Sequence, residues 1–294
     1  LDFEKGDYRS AEGTFDEILP ILKEREGDDG LDVARVLNDL AGCKRRLTEY
    51  AEAERLRQRS LEIYDARLGE DDPITLDVRH DLGVLLGDEG RFDEARALLE
   101  KTCAALARVE GDDNPGTLRC RNNLAANLIA LGRFAAADVV LRDVRARQAS
   151  SRGDEAVDIA YTNEWEALAL DGLGRGDEAV ALIDDGIARR SKIFGEDTPE
   201  VAALMVRKAH ILRHVGRFRE CEESARRAIA IVVPKLGDEH ATVGRAHFEI
   251  GSALAADGHP GEAKPELRLA ADVLRKALGP GHVDTVRAEA AAAR

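Results

Sequence analysis

The feature that most constrains this chain is a phrase that returns. "GRFDEARALLE" begins at Gly90, "GRFAAADVVLR" at Gly132 and "GRFRECEESAR" at Gly216. Their rings belong to a grid of 42 residues: Tyr8, Tyr50, Phe92, Phe134 and Phe218, with Gly176 and Pro260 at the remaining nodes. Three residues after each node stands a small side chain: Ala11, Ala53, Ala95, Ala137, Ala179, Cys221 and Ala263. Nine residues before the nodes lie Ala41, Gly83, Ala125, Ala167, Ala209 and Gly251. The register holds without one insertion, so the chain is a tandem array, and a period of this length means a solenoid. Its 294 residues would otherwise suggest two domains, but a solenoid grows by adding units rather than by enlarging one core.

One period, residues 74–115, shows what a unit is. "TLDVRHDLGVLLGDEG" carries Leu76, Val78, Leu82, Val84, Leu85 and Leu86 at helical spacing, and Pro73 suits a first helical turn, where its missing N–H costs nothing. Gly90 can take the left-handed turn that closes the helix. "RFDEARALLEKTCAALARV" then sets Phe92, Ala95, Leu98, Leu99, Cys103 and Leu106 at three- and four-residue steps, which predicts a second amphipathic helix. Each unit therefore reads as a helical hairpin. The two rows of small residues face each other and let its helices approach closely. One hairpin buries too little area to fold alone, and stacking supplies the rest.

Leu82–Gly83 followed by Phe92 and Ala95 resembles the tetratricopeptide pattern of L-G and then aromatic-x-x-Ala. Ordinary units of that family are about 34 residues. The longer period, "RNNLAANLIALGRFAAA" (121–137) and the connectors "LGEDDPIT", "LGDEHATV" and "LGPGHVDT" resemble the repeats of kinesin light chains and many bacterial regulatory proteins. The resemblance covers essentially the whole chain. It implies an all-α, right-handed superhelical solenoid of about seven 42-residue hairpins. The expected layout is a single array: a partial repeat over 1–30, repeats at 31–73, 74–115, 116–157, 158–199, 200–241 and 242–283, and a further helix beginning at 284–294. The half-units at either end are read as an excised boundary or as caps.

The resemblance also implies a partner-binding face. First helices would line the inner surface, with contact positions 15, 12, 11, 8 and 5 residues before each node. Carried onto this sequence, they select Arg35, Asn38, His80, Arg119, Asn122, Asn123, Tyr161, Glu164, Trp165, Arg207, His210, Arg213, Arg245 and Phe248. An Asn amide can hold an extended backbone through both donor and acceptor. Tyr161 and Trp165 beside Arg207 and Arg213 have the composition of an interaction hot spot, and Arg forks favour an acidic or carboxyl-terminated ligand. Trp165 has a competing reading, as a ring that swings into the gap left at Gly176.

Chemistry is not expected. No phosphate-cradling G-x-x-x-x-G-K-[ST] or G-x-S-x-G elbow is present, and "GLGRGDEA" (172–179) is a hairpin turn. The one metal candidate is His210 and His214 in "HILRH" with Glu164 one unit earlier, which lacks a third established ligand and a base. Cys43, Cys103, Cys120 and Cys221 form no C-x-x-C pair and are read as free thiols in a reducing cytoplasm. A formal charge of −14 and no basic cluster argue against nucleic acid, and no apolar run suits a membrane. Arg-rich, Ala-rich composition points to a bacterial source. The adopted reading is a non-catalytic, cofactor-free module that binds a peptide or helix of a partner protein, as the sensor or partner-binding arm of a larger signalling protein. A self-assembling scaffold whose ends stack is the alternative. A metal-dependent enzyme using His210, His214 and Glu164 is the remote one.

Overall fold

A computed structural model describes residues 8–47, 49–152 and 157–294. Among these residues the chain is all helical: α1 (Tyr8–Glu26), α2 (Leu31–Arg46), α3 (Tyr50–Leu68), α4 (Pro73–Asp88), α5 (Phe92–Glu110), α6 (Pro115–Ala130), α7 (Phe134–Arg152), α8 (Val157–Gly172), α9 (Gly176–Phe194), α10 (Pro199–His214), α11 (Phe218–Leu236), α12 (Ala241–Ala256), α13 (Pro260–Leu278) and α14 (Val283–Ala292). Every node of the 42-residue grid is the first residue of an odd-numbered helix from α1 to α13. These second helices are 19 residues long, and the first helices α2 to α12 are 16. The array is a helical repeat solenoid.

The punctuation repeats with the same period. Gly90 (φ 81°) turns α4 into α5, and Gly111 (φ 97°) ends α5; a residue with a Cβ is strained at either place. Immediately before several of the first helices stands a capping side chain. Asp72 Oδ1 accepts from Ile74 N, Asn114 Oδ1 from Gly116 N and Thr198 Oγ1 from Val201 N. At the next two turns of the grid the acceptor is a histidine, His240 Nδ1 for Thr242 N and His282 Nδ1 for Asp284 N.

The backbone contacts divide the chain into two compact units, Leu1–Leu131 and Gly132–Arg294. In the first, α1 to α6 pack in sequence order, and α4 also touches α6. In the second, α7 to α14 do the same, with direct contacts of α8 on α10, α10 on α12 and α12 on α14. The first helices thus occupy the tight side of each stack. Within each unit the small rows lie at the hairpin interface: Ala53, Ala95, Ala179 and Cys221 are fully buried, as are Ala41, Ala167 and Ala209. A Cβ added at Gly83 would sit 2.7 Å from Leu99, and one at Gly251 2.7 Å from Leu267. The second helix's leucines rest directly on the first helix's backbone.

The gap at Gly176 is closed, but not by Trp165. Ring nodes cover the backbone of the next hairpin, as Phe134 does at Gly172, where a Cβ would meet the ring at 2.3 Å. At Gly176 the neighbour reaches in instead: Val215 Cγ1 lies 1.9 Å from where a Cβ would stand.

The cysteine reading needs correction. Cys103 of α5 and Cys120 of α6 form a disulfide, with their Cα atoms 5.5 Å apart. A search for closely spaced pairs misses them because the hairpin stack, not local sequence, brings them together across 17 residues. Cys43 and Cys221 are free and buried. Burial, reinforced by Glu249, pushes the Cys221 thiol up to about 12, so it is an inert core group.

Candidate partner-binding face

In the first unit the selected side chains sit on α2, α4 and α6 but are engaged by neighbours in the stack. Asn38 Oδ1 accepts from Nε of the buried Arg57 at 3.1 Å. Asn123 Nδ2 is 2.8 Å from Nε2 of His80, whose Nδ1 lies 3.3 Å from Asp81. Asn122 is buried. Arg119 pairs with Asp77, one period earlier, at 2.8 Å, and Arg35 with Asp32 at 3.4 Å. The amide row is therefore drawn into the structure rather than presented as an outward ladder.

In the second unit α8, α10 and α12 bring the remaining candidates into a dense polar layer. Glu164, its side chain 7% exposed, receives Arg190 of α9 at 2.6 Å and Arg207 of α10 at 2.5 Å. Each guanidinium also lies over a ring: Arg190 is 4.1 Å from the Tyr161 centroid and Arg207 4.6 Å from that of Trp165. A carboxylate out of water needs such partners, and each cation–π contact contributes about 0.5–2 kcal/mol more. Two aromatic side chains are thereby held by one buried anion. Tyr161 remains 44% exposed, and Trp165 is half-buried.

The neighbouring cluster corrects the metal candidate. Glu164 is committed to the two arginines, whereas the carboxylate facing the histidines is Asp171 of α8, 2.6 Å from His214 Nδ1 and 3.8 Å from His210 Nε2. Glu249 of α12 accepts from His210 Nδ1 at 3.0 Å and from Arg213 Nε at 2.7 Å. Burial opposes ionisation of Glu249, but the hydrogen bonds and charges of His210 and Arg213 outweigh it and hold its carboxyl below the usual range. At the end of the unit, Arg245 pairs with Asp284 at 2.7 Å, and the half-buried Phe248 lies 5.2 Å below the Arg287 guanidinium.

Every arginine picked as a ligand clamp thus already faces an internal carboxylate. Asp171 and Glu249 were within reach of the sequence, since they stand 5 and 11 residues before their nodes, in the same rows as Arg213 and Trp165. Choosing cations and aromatics from those rows passed over the acids that neutralise them. Arg190 lay outside any such row because it belongs to a second helix. Among the described residues, no helix is long and apolar enough to cross a membrane.

Comparison with known proteins agrees with this architecture. The profile described as Tetratricopeptide repeat matches residues 1–66, 32–107, 88–150 and 200–276, and a second profile of that description matches 167–200. No curated protein matches the chain. Among solved structures, the kinesin-light-chain TPR-like repeats of Podosopora anserina are 26% identical, with 70% of this chain and 97% of that one covered and a TM-score of 0.55. The apo form of RapI shares 12% identity over 94% of each chain, at a TM-score of 0.72. A Rap protein complexed with Competence and Sporulation Factor shares 11%, covering 95% and 83%, at 0.63. With the profile matches spanning well over half of its length, the chain belongs to the tetratricopeptide repeat family.

Proposed function

We propose that this chain is a non-catalytic protein–protein interaction module that binds a peptide or helix of a partner on its first-helix face. The observation that carries the reading is the pair of aromatic platforms, Tyr161 and Trp165, held by Arg190 and Arg207 over the buried Glu164. Rigid, partly exposed aromatics beside guanidinium groups are what interface hot spots are made of, because little side-chain entropy is lost on contact. Nε of Arg207 takes Glu164, yet the side chain stays 36% exposed, so its fork can still meet an acidic or carboxyl-terminated ligand. The complex of a Rap protein with Competence and Sporulation Factor is in keeping with partner capture by such a fold. The setting proposed is bacterial, with the array as partner-binding arm of a larger regulatory protein; the cysteines no longer support a cytoplasmic location, since Cys103 and Cys120 are bonded and a reducing compartment disfavours that bond.

The test is selection of peptides from a displayed library on the intact chain, followed by calorimetry with Trp165→Ala, Arg207→Ala and Arg219→Ala. Arg219 is an exposed second-helix control. The expected result is a loss of about 30-fold or more for Trp165→Ala, the size of a hot-spot deletion of about 2 kcal/mol, and no change for Arg219→Ala. Equal binding by both variants would place the ligand elsewhere.

A second reading, end-to-end self-association, is favoured by exposed apolar side chains on the terminal helices: Ile21 on α1, and Val283 and Val286 on α14. Sedimentation over a hundredfold range of concentration distinguishes it; a constant monomer mass contradicts it.

A further inference from the structure

We infer that Asp171, His210 and His214 form a divalent transition-metal site of the zinc type that ties α8 to α10. Their ligand atoms lie within 4.8 Å of one another. Three donors around a tetrahedral ion with bonds of about 2.1 Å stand roughly 3.4 Å apart. The 3.8 Å between His210 Nε2 and Asp171 Oδ2 has to shorten slightly, and the 2.6 Å between His214 Nδ1 and the same oxygen has to lengthen by less than 1 Å. Side-chain rotation supplies both.

Three further observations point to a cation. The Asp171 side chain is 6% exposed, and its charge partners among the described residues are these two imidazoles, with no Lys or Arg. That contrasts with Glu164 and Glu249, which each hold an arginine. A buried carboxylate with two imidazoles and no permanent cation against it is an expensive arrangement that a divalent ion relieves.

The second observation is orientation. Glu249 Oε1 lies 3.0 Å from His210 Nδ1 and, as a carboxylate, can only accept; with the proton on Nδ1 the Nε2 lone pair faces Asp171, and Arg213 Nη2, 3.2 Å from the same Nδ1, has to turn aside. Carboxylate–imidazole–metal is the arrangement by which proteins orient and strengthen a histidine ligand.

The third is location. Asp171 lies in the last turn of α8, and His214 is the last residue of α10. Helix C-termini carry partial negative charge and favour cations. His214 is exposed, so the site opens to solvent and leaves a fourth position for water. Two imidazoles and one carboxylate select zinc, cobalt or nickel over calcium or magnesium. Binding moves the His214 proton to Nε2, so Arg213 Nη2, now 3.2 Å from that atom, gives up this contact while its Nε keeps Glu249. The site shares His210 with the candidate face but does not depend on the peptide-binding reading.

The test is a Co²⁺ titration of the metal-free chain followed by visible absorption, then displacement by Zn²⁺. Expected are one ion per chain, the intense visible bands of four-coordinate cobalt, and their loss as zinc enters. His214→Ala, at an exposed position, and Asp171→Asn should each abolish those bands. Glu249→Gln should weaken binding about 10–100-fold, the usual effect of removing a carboxylate behind a ligand histidine. His247→Ala, on a ring paired with Glu266, should change nothing, and circular dichroism confirms that each variant is folded. No stoichiometric cobalt signal in the parent chain, or a signal that survives His214→Ala, overturns the assignment.

Discussion

Glu164 shows how much one side chain carries. It anchors Arg190, which is itself buried, and Arg207, which covers Trp165. Glu164→Ala leaves the Arg190 guanidinium without its carboxylate in the interior. Breaking such a buried pair costs about 3–5 kcal/mol, and urea denaturation should read a loss of that size. A change below about 1 kcal/mol would mean that the layer is solvated. Gly176 makes the opposite point, since the grid invites a ring there and the structure forbids one. Gly176→Ala places a methyl within the radius of Val215, and overpacking of this kind costs about 1–3 kcal/mol. Adding Val215→Ala should recover part of that loss. Sequence alone makes node 176 look empty, because a pattern records which side chain is missing and not which neighbour has moved in.

At the scale of the element, caps and the disulfide decide where helices start and how they are tied. His240 caps α12 through a neutral Nδ1. Burial, and then the charge of Arg245, holds its pKa below the ordinary 6.5. The unfolded chain therefore binds more protons between the depressed value and about 6.5, and stability rises with pH across that window. The cap's contribution, about 1 kcal/mol for a typical N-cap, is complete above about 6.5 and is lost as pH falls through the folded value. His240→Asn keeps an acceptor and should remove this component of the pH dependence; an unchanged profile would assign it to another group. The bond between Cys103 and Cys120 closes 17 residues of chain, so reduction should lower stability by about 3 kcal/mol. Melting with and without a reductant checks it, and identical curves would deny the disulfide. The helices themselves were legible, because Pro73, Gly90 and Phe92 mark a start, a stop and a start in fixed register. The disulfide was not, because the pairing of α5 with α6 depends on how hairpins stack.

Across the whole molecule, one rule generates most of the structure. Small side chains nine before and three after each node let the leucines of one helix rest on the backbone of the other. Within the second unit the same rule puts α8 on α10 and α10 on α12, and assembles Glu164, Asp171, Trp165, His210 and Glu249 from three successive hairpins. The rows that face a partner could be read from the period, while the state of their charges could not. Arg119, Arg207, Arg213 and Arg245 look available in sequence, and each meets an acid roughly one period away in the fold.

The most direct test of this rule is removal of one whole period. A chain lacking residues 200–241 joins Pro199 to Thr242 and keeps the cap, the Pro and both small rows in register. Because repeat arrays are sums of units and nearest-neighbour interfaces, it should retain its helicity per residue by circular dichroism and still unfold cooperatively in urea. A matched deletion of residues 200–233, the length of an ordinary 34-residue unit, puts those rows out of phase and should lose cooperative unfolding. If both deletions fold equally well, or if the 42-residue deletion fails while the shorter one folds, the recurring register is not what holds this chain together.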